Sequence, residues 1–149
     1  MRTLYYRAMS ESRRLAHVER IPIRWGDMDA MGHVNNTVYF RYMEQARISW
    51  FDRLVPEDDA WQSTGIVIAN ATCNYRRAIT YPGTVEVKLF IGPAGGASVP
   101  TFYELRVDAD PVPYADGAAV VVFIDAKTQK SRRIPDAIRT RLERAEAAA

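Results

Sequence analysis

The sequence predicts an α+β domain in which an antiparallel β-sheet wraps around one long central α-helix, and three observations carry that prediction. The stretch between Gly32 and Pro56 contains neither glycine nor proline, and it places Tyr39, Tyr42, Met43, Ala46 and Trp50 at helical spacing. Apolar or alternating segments follow it, separated by turn-rich stretches. The helix also carries Val38, Phe40, Ile48 and Phe51 outside its main stripe, so it is expected to be enclosed on most sides.

Taken in order, Ile21, Ile23 and Trp25 alternate with Arg20, Pro22 and Arg24, the pattern of a strand with one buried face. Pro22 places it at an edge or a strand end. The helix is expected from near Asn36 to Leu54, about five turns. Strands are then expected over 66–76, 84–92, 99–109 and 117–125, with TYPG, GPAGGAS and DPVPYADG as the turns between them. Val85, Val87, Leu89 and Ile91 alternate cleanly, whereas the continuous run AAVVVFI suits a central strand buried on both faces. Pro135 opens a short terminal helix with Ile138, Leu142 and Ala145 down one side. Strand, long helix, four strands and short helix have one economical packing, the hotdog architecture. Residues 1–17 lack periodicity and are expected as a flexible N-terminal arm, with 18–149 as a single hotdog domain.

Composition removes several function classes. With 20 Lys and Arg against 18 Asp and Glu, interspersed, the net charge of +2 gives no broad footprint for nucleic acid. The cluster Lys127, Lys130, Arg132 and Arg133 reads as a solvated turn. Cys73 is the only cysteine, which excludes an intrachain disulfide and a multi-cysteine metal site, suits a reducing compartment, and reads as an inert thiol in a strand. No apolar run approaches the ~18 residues a membrane helix needs, and the first residues lack a signal-peptide core. A cytoplasmic protein without membrane attachment is expected.

The chemistry concentrates in Arg24 to Arg47, RWGDMDAMGHVNNTVYFRYMEQAR, where carboxylates lead directly into a helix. A helix N-terminus leaves about four N–H groups unpartnered and carries roughly half a unit of positive charge. It can therefore hold an oxyanion while a nearby carboxylate activates water or attacks, which suits acyl transfer. Asn35 is a candidate N-cap that would leave the Asn36 N–H pointing outward, and Gly32 permits a positive φ or a close backbone approach. Asp29 read alone could equally be a turn residue bonding its own backbone. Asp27 falls on the opposite side and reads as structural. His33 is open to three readings, a general base, a metal ligand with Asp27 and Asp29, or turn support; the last is favoured, and no metal is expected. Glu44 is expected to pair with Arg47 at i,i+3. Tyr39 and Tyr42 read as core or pocket-wall aromatics, with Tyr39, in the first turn, the better pocket candidate. Ser98 lacks the G-x-S-x-G elbow of a hydrolase nucleophile, and Arg76 and Arg77 are candidates for phosphate contacts.

The run D-x-D-A-M-G-H-V-N-N, followed by Y-x-x-Y-x-E-x-A-R and later by YRRAITYPGTVEV and VFIDAKTQKSRRIP, resembles the acyl-CoA thioesterases of the 4-hydroxybenzoyl-CoA thioesterase family. The likeness extends from about Ile21 to Leu142. It implies that Asp29 is the catalytic carboxylate and that the Asn36 N–H polarises the thioester carbonyl. It also implies that Gly32, His33, Val34 and Asn35 shape the turn that delivers this N–H to substrate. The implied reaction is hydrolysis of an acyl-CoA, or an acyl carrier protein thioester, to free acid and thiol. No cofactor is implied beyond the coenzyme A of the substrate. A homodimer or homotetramer with sites at the interface is implied as well. The longer N-terminal arm and the long GPAGGASVP turn depart from the family pattern. A hotdog dehydratase or hydratase is the enzyme rival, although its H-F-P-G-type signature is absent, and a non-catalytic acyl-CoA-binding protein is the other.

Overall fold

In the computed structural model, which describes residues 12–54 and 60–144, five strands form one antiparallel sheet. They are β1 (Arg14–Pro22), β2 (Thr64–Tyr75), β3 (Thr84–Ile91), β4 (Ser98–Val107) and β5 (Ala115–Asp125). Their spatial order is β1-β3-β4-β5-β2, so β3, β4 and β5 are sequential neighbours while β1 and β2 take the two edges. The long helix α1 (Asn36–Leu54) connects those edges, a single turn α2 (Ala60–Ser63) precedes β2, and α3 (Asp136–Arg144) follows β5. This is the hotdog arrangement that the element order predicts.

Alternation explains how the sheet holds the helix. Val85, Val87, Leu89 and Ile91 of β3 are at most 1% exposed and pack in one core with Tyr39, Tyr42, Met43, Ala46, Trp50, Phe51 and Leu54 of α1. Apolar burial of this kind stabilises by about 25 cal/mol per Å². At Gly117 a helix side chain presses directly on the sheet backbone, and a Cβ there would meet Met43 Cε at 2.6 Å and the Thr72 carbonyl oxygen at 2.7 Å. Ile138 and Leu142 of α3 seal the far end, and Arg141 donates to the Leu54 carbonyl at 2.9 Å. Ala145, expected on the same face, lies outside the described residues.

Three expectations change. The first strand starts at Arg14 and ends at Pro22, so the end of the expected arm is strand, with Ala16 and His17 buried; residues 1–11 lie outside the described set. Proline has no N–H to continue the ladder. Ile23 then turns to the Gly83 carbonyl at 2.8 Å, and Trp25 enters a 3₁₀ turn and is 74% exposed. Among the described residues the helix is not enclosed on most sides, because Arg41, Glu44, Gln45 and Ile48 share an exposed face. Finally, β5 alternates buried with half-buried residues, so its outer face is only partly covered.

Candidate active site

The segment from Trp25 to Asn35 is a compact loop whose shape follows from its own backbone bonds. Residues Met28 and Val34 form an antiparallel bridge, and inside it Asp29 N–H donates to the His33 carbonyl at 2.9 Å and Gly32 N–H to the Asp29 carbonyl at 3.0 Å. Gly32 closes this turn at φ +80°, a left-handed conformation that glycine adopts without steric cost. Val34 N–H reaches across to the Ile79 carbonyl at 2.8 Å and ties the loop to the segment after β2.

Asp27 anchors the loop from below and is 5% exposed. Its Oδ2 accepts from the Arg24 N–H at 3.0 Å and the Tyr42 hydroxyl at 2.9 Å, and the Arg24 guanidinium pairs with Oδ1 at 3.1 Å. Burial pushes this carboxyl up, but these three partners more than offset it and hold Asp27 below the usual carboxylate range. Burial and then the Asp27 bond push the Tyr42 hydroxyl up, so it stays protonated and donates. Asp27 also accepts Asn35 N–H at its carbonyl, at 2.9 Å.

Asp29, in contrast, is exposed. Its Oδ1 accepts from the Met31 N–H at 2.9 Å, the local turn bond that an aspartate makes on its own account. Its Oδ2 accepts from Asn35 Nδ2 at 3.0 Å. The same Asn35 amide uses Oδ1 to accept from Thr37 N–H at 2.9 Å and Thr37 Oγ1 at 2.6 Å, capping α1. One side chain thus ties the carboxylate to the helix N-terminus. The Asn36 N–H, the first of the helix, has no acceptor among the described residues. A preorganised donor of that kind, beside a fixed carboxylate, can stabilise an oxyanion.

The family model of the thioesterase-like superfamily matches residues 23–142. The chain belongs to the thioesterase-like superfamily. Long-chain acyl-CoA thioesterase FadM of Escherichia coli is 27% identical over 83% of this chain and 95% of its own length. The structure of the PA2801 protein from Pseudomonas aeruginosa is 35% identical with a TM-score of 0.77, covering 87% of this chain and 99% of that one. A thioesterase from Thermus thermophilus, complexed with coenzyme A and zinc, is 29% identical with a TM-score of 0.75 over 91% of this chain and 96% of that one. Thioester hydrolysis is the general chemistry that a thioesterase-like site must serve.

Around that site the remaining predicted residues take varied positions. His33 is exposed and contributes its carbonyl to the turn, while Val34 is 4% exposed and packs into the core. Tyr39 is 3% exposed, and its hydroxyl donates to the Arg77 carbonyl at 3.1 Å and accepts from Ile79 N–H at 3.2 Å. It is a strut between α1 and the segment after β2. Glu44 does not pair with Arg47: it meets Arg41 at 3.0 Å, while the buried Arg47 donates to the Tyr103 hydroxyl at 3.0 Å. The i,i+3 rule has two solutions around Glu44, and only Arg41 shares its exposed face. Arg76 pairs with Asp116, and Arg77 pairs with Asp110 at 2.8 Å and lies over the Tyr114 ring. Cys73 is half-buried, and burial pushes its thiol up, as an inert thiol requires.

A groove of about 270 Å³ runs from Thr37 along α1, walled by Phe40, Met43, Glu44 and Arg47 on one side and by Ile68, Ala71, Ala118 and Ala119 on the other. It starts beside the Asn35 cap. The small β2 and β5 residues that open it carried no sequence signal, because their role depends on pairing across the sheet. A larger cavity of about 390 Å³ between the start of β1, the β3–β4 turn and α3 contains none of the predicted site residues. Among the described residues, no three His, Cys, Asp or Glu side chains are placed to hold a metal ion, and no helix is long and apolar enough to cross a membrane.

Proposed function

We propose that this chain hydrolyses acyl-CoA thioesters, with Asp29 as the catalytic carboxylate and the Asn36 N–H as the oxyanion donor. The observation that carries the reading is the Asn35 side chain, which bonds the Asp29 carboxylate through Nδ2 and caps the helix through Oδ1. The acyl chain lies in the groove along α1, with the thioester carbonyl at the helix N-terminus. As general base, Asp29 takes a proton from water while the water oxygen adds to the carbonyl carbon. The tetrahedral oxyanion is held by Asn36 N–H, the carbon–sulfur bond then breaks, and the departing thiolate takes the proton. As nucleophile, Asp29 displaces the thiolate directly and forms a mixed anhydride that water opens. Single turnover in oxygen-18 water separates these routes, because only the anhydride route leaves label in Asp29.

The reading includes a homo-oligomer paired through β2. That edge strand runs from Thr64 to Tyr75 with Val67 42% and Ile68 38% exposed, an open edge of a kind that natural proteins cover. Pairing there would also close the groove, since Ile68 and Ala71 line it. Light scattering should give at least twice the chain mass of 16.9 kDa, and a monomer at micromolar concentration overturns the pairing. A thiol-release assay over acyl-CoA and acyl carrier protein substrates tests the activity itself. Binding without turnover would identify a non-catalytic acyl-CoA-binding protein, and hydration of an enoyl-CoA would identify a hydratase.

A further inference from the structure

Tyr75, the last residue of β2, is joined to Asp29 by an unbroken chain of hydrogen bonds. Its hydroxyl donates to the Asn36 carbonyl at 2.8 Å. That carbonyl shares a peptide group with the Thr37 N–H, which donates to Asn35 Oδ1 at 2.9 Å. The Asn35 amide carries the chain on through Nδ2 to Asp29 Oδ2 at 3.0 Å. Every link points the same way, donor to acceptor, through two amide groups. Bonds aligned in this manner polarise one another, so withdrawing electron density at one end makes each following N–H a better donor.

We propose that Tyr75 is a positioning residue for Asp29, its hydroxyl strengthening and aiming the Asn35 bond to the carboxylate through the first peptide of α1. The inference rests on the reading of Asp29 as the catalytic carboxylate. Folding supplies little reason for the hydroxyl. Tyr75 is 46% exposed, Asn36 is exposed and Cys73, whose thiol also meets the hydroxyl, is only half-buried, so a phenylalanine at position 75 would leave no fully buried polar group without a partner. The ring is held independently, edge-on to Tyr39 with centroids 4.9 Å apart, and Tyr39 is itself fixed by Arg77 and Ile79. Burial and the neighbouring Cys73 thiol push the phenol up from its ordinary value, so Tyr75 keeps its proton and remains a donor.

The test is a mutant cycle on steady-state acyl-CoA hydrolysis. Tyr75→Phe should lower kcat about three- to tenfold, the effect of one lost hydrogen bond, with KM and Tm unchanged. A merely structural tyrosine would move Tm instead. Asn35→Ala cuts the chain, so adding Tyr75→Phe to it should have no further effect on kcat. Wild-type kcat in Tyr75→Phe, or losses that multiply in the double variant, would overturn the proposal. Asp29→Asn is run beside them to keep two failures apart. An active Asp29→Asn enzyme overturns the reading of Asp29 and this inference with it, whereas an inactive one beside a fully active Tyr75→Phe overturns this inference alone.

Discussion

Replacing Asp29 with asparagine removes the charge that either mechanism needs, but the hydrogen-bond network makes the change more than a charge deletion. Asp29 accepts at both oxygens, from Met31 N–H and from Asn35 Nδ2. An asparagine has one acceptor oxygen, so if that oxygen keeps the turn bond, its amide nitrogen faces the Asn35 amide nitrogen, donor against donor. Asn35 can relieve the clash only by flipping, and the flip withdraws the oxygen that caps Thr37 N–H. A lost N-cap costs about 1 kcal/mol. Asp29→Asn should therefore lose roughly 10²–10⁴-fold in kcat, the usual contribution of a positioned acid or base, and a few degrees in Tm as well.

A double swap separates charge from network. In Asp29→Asn with Asn35→Asp, the new amide at position 29 still accepts from Met31 and donates to the new carboxylate at position 35, whose second oxygen accepts from Thr37. Aspartate caps a helix as well as asparagine does and suits the positive end of the helix dipole. The swap should restore wild-type Tm while kcat stays at the level of Asp29→Asn, measured by thiol release with saturating acyl-CoA and by calorimetry. Recovery of kcat in the swap would show that a negative charge anywhere in the network suffices. An Asp29→Asn enzyme retaining more than about a tenth of kcat would show that the Asp29 to Met31 turn bond is the whole purpose of the residue.

Further outcomes test the surroundings. Glu44→Gln should keep most of its turnover per folded molecule, because among the described residues Glu44 pairs only with exposed Arg41, and such pairs contribute about 0.3–0.5 kcal/mol; a folded but inactive variant would move the chemistry to the helix glutamate. Asp27→Asn should lower stability at pH 7 by about 1–3 kcal/mol, because its amide oxygen can keep the bonds from Arg24 N–H and Tyr42 only without their charge, and its amide nitrogen replaces the oxygen that pairs with the Arg24 guanidinium. Because the fold holds the Asp27 carboxyl below its unfolded value, its contribution is complete above about pH 5 and is lost as pH falls through the lowered value. Thermal melts below about pH 4 should thus fall more steeply for wild type than for Asp27→Asn, and parallel curves would overturn the assignment. Gly117→Ala should cost on the order of 1–3 kcal/mol, since Met43 can shift but the Thr72 carbonyl 2.7 Å away cannot, and an unchanged Tm would show that the sheet yields there.

What the sequence made legible follows the range of each interaction. The helix and strands β3 to β5 were readable to within a few residues because alternation and helical spacing are local, and the cap at Asn35 because its partner is two residues away. The start of β1 was not, since Arg14 to His17 owe their strand state to pairing with β3, with a bulge between Leu15 and His17 that breaks the alternation. Tyr39 shows the same limit inside the site: its position in the first turn of α1 said that it was near the chemistry, and only the fold could say that its hydroxyl is spent on Arg77 and Ile79. Glu44 and Arg47 fit a local rule that the tertiary structure overrode, because Tyr103 of β4 offers Arg47 a buried partner. Asn35 joins the two ranges. Its capping bond is local and was anticipated, while its bond to Asp29 spans the turn closed at Gly32, and it is this second bond that makes a turn aspartate and a helix terminus into one arrangement.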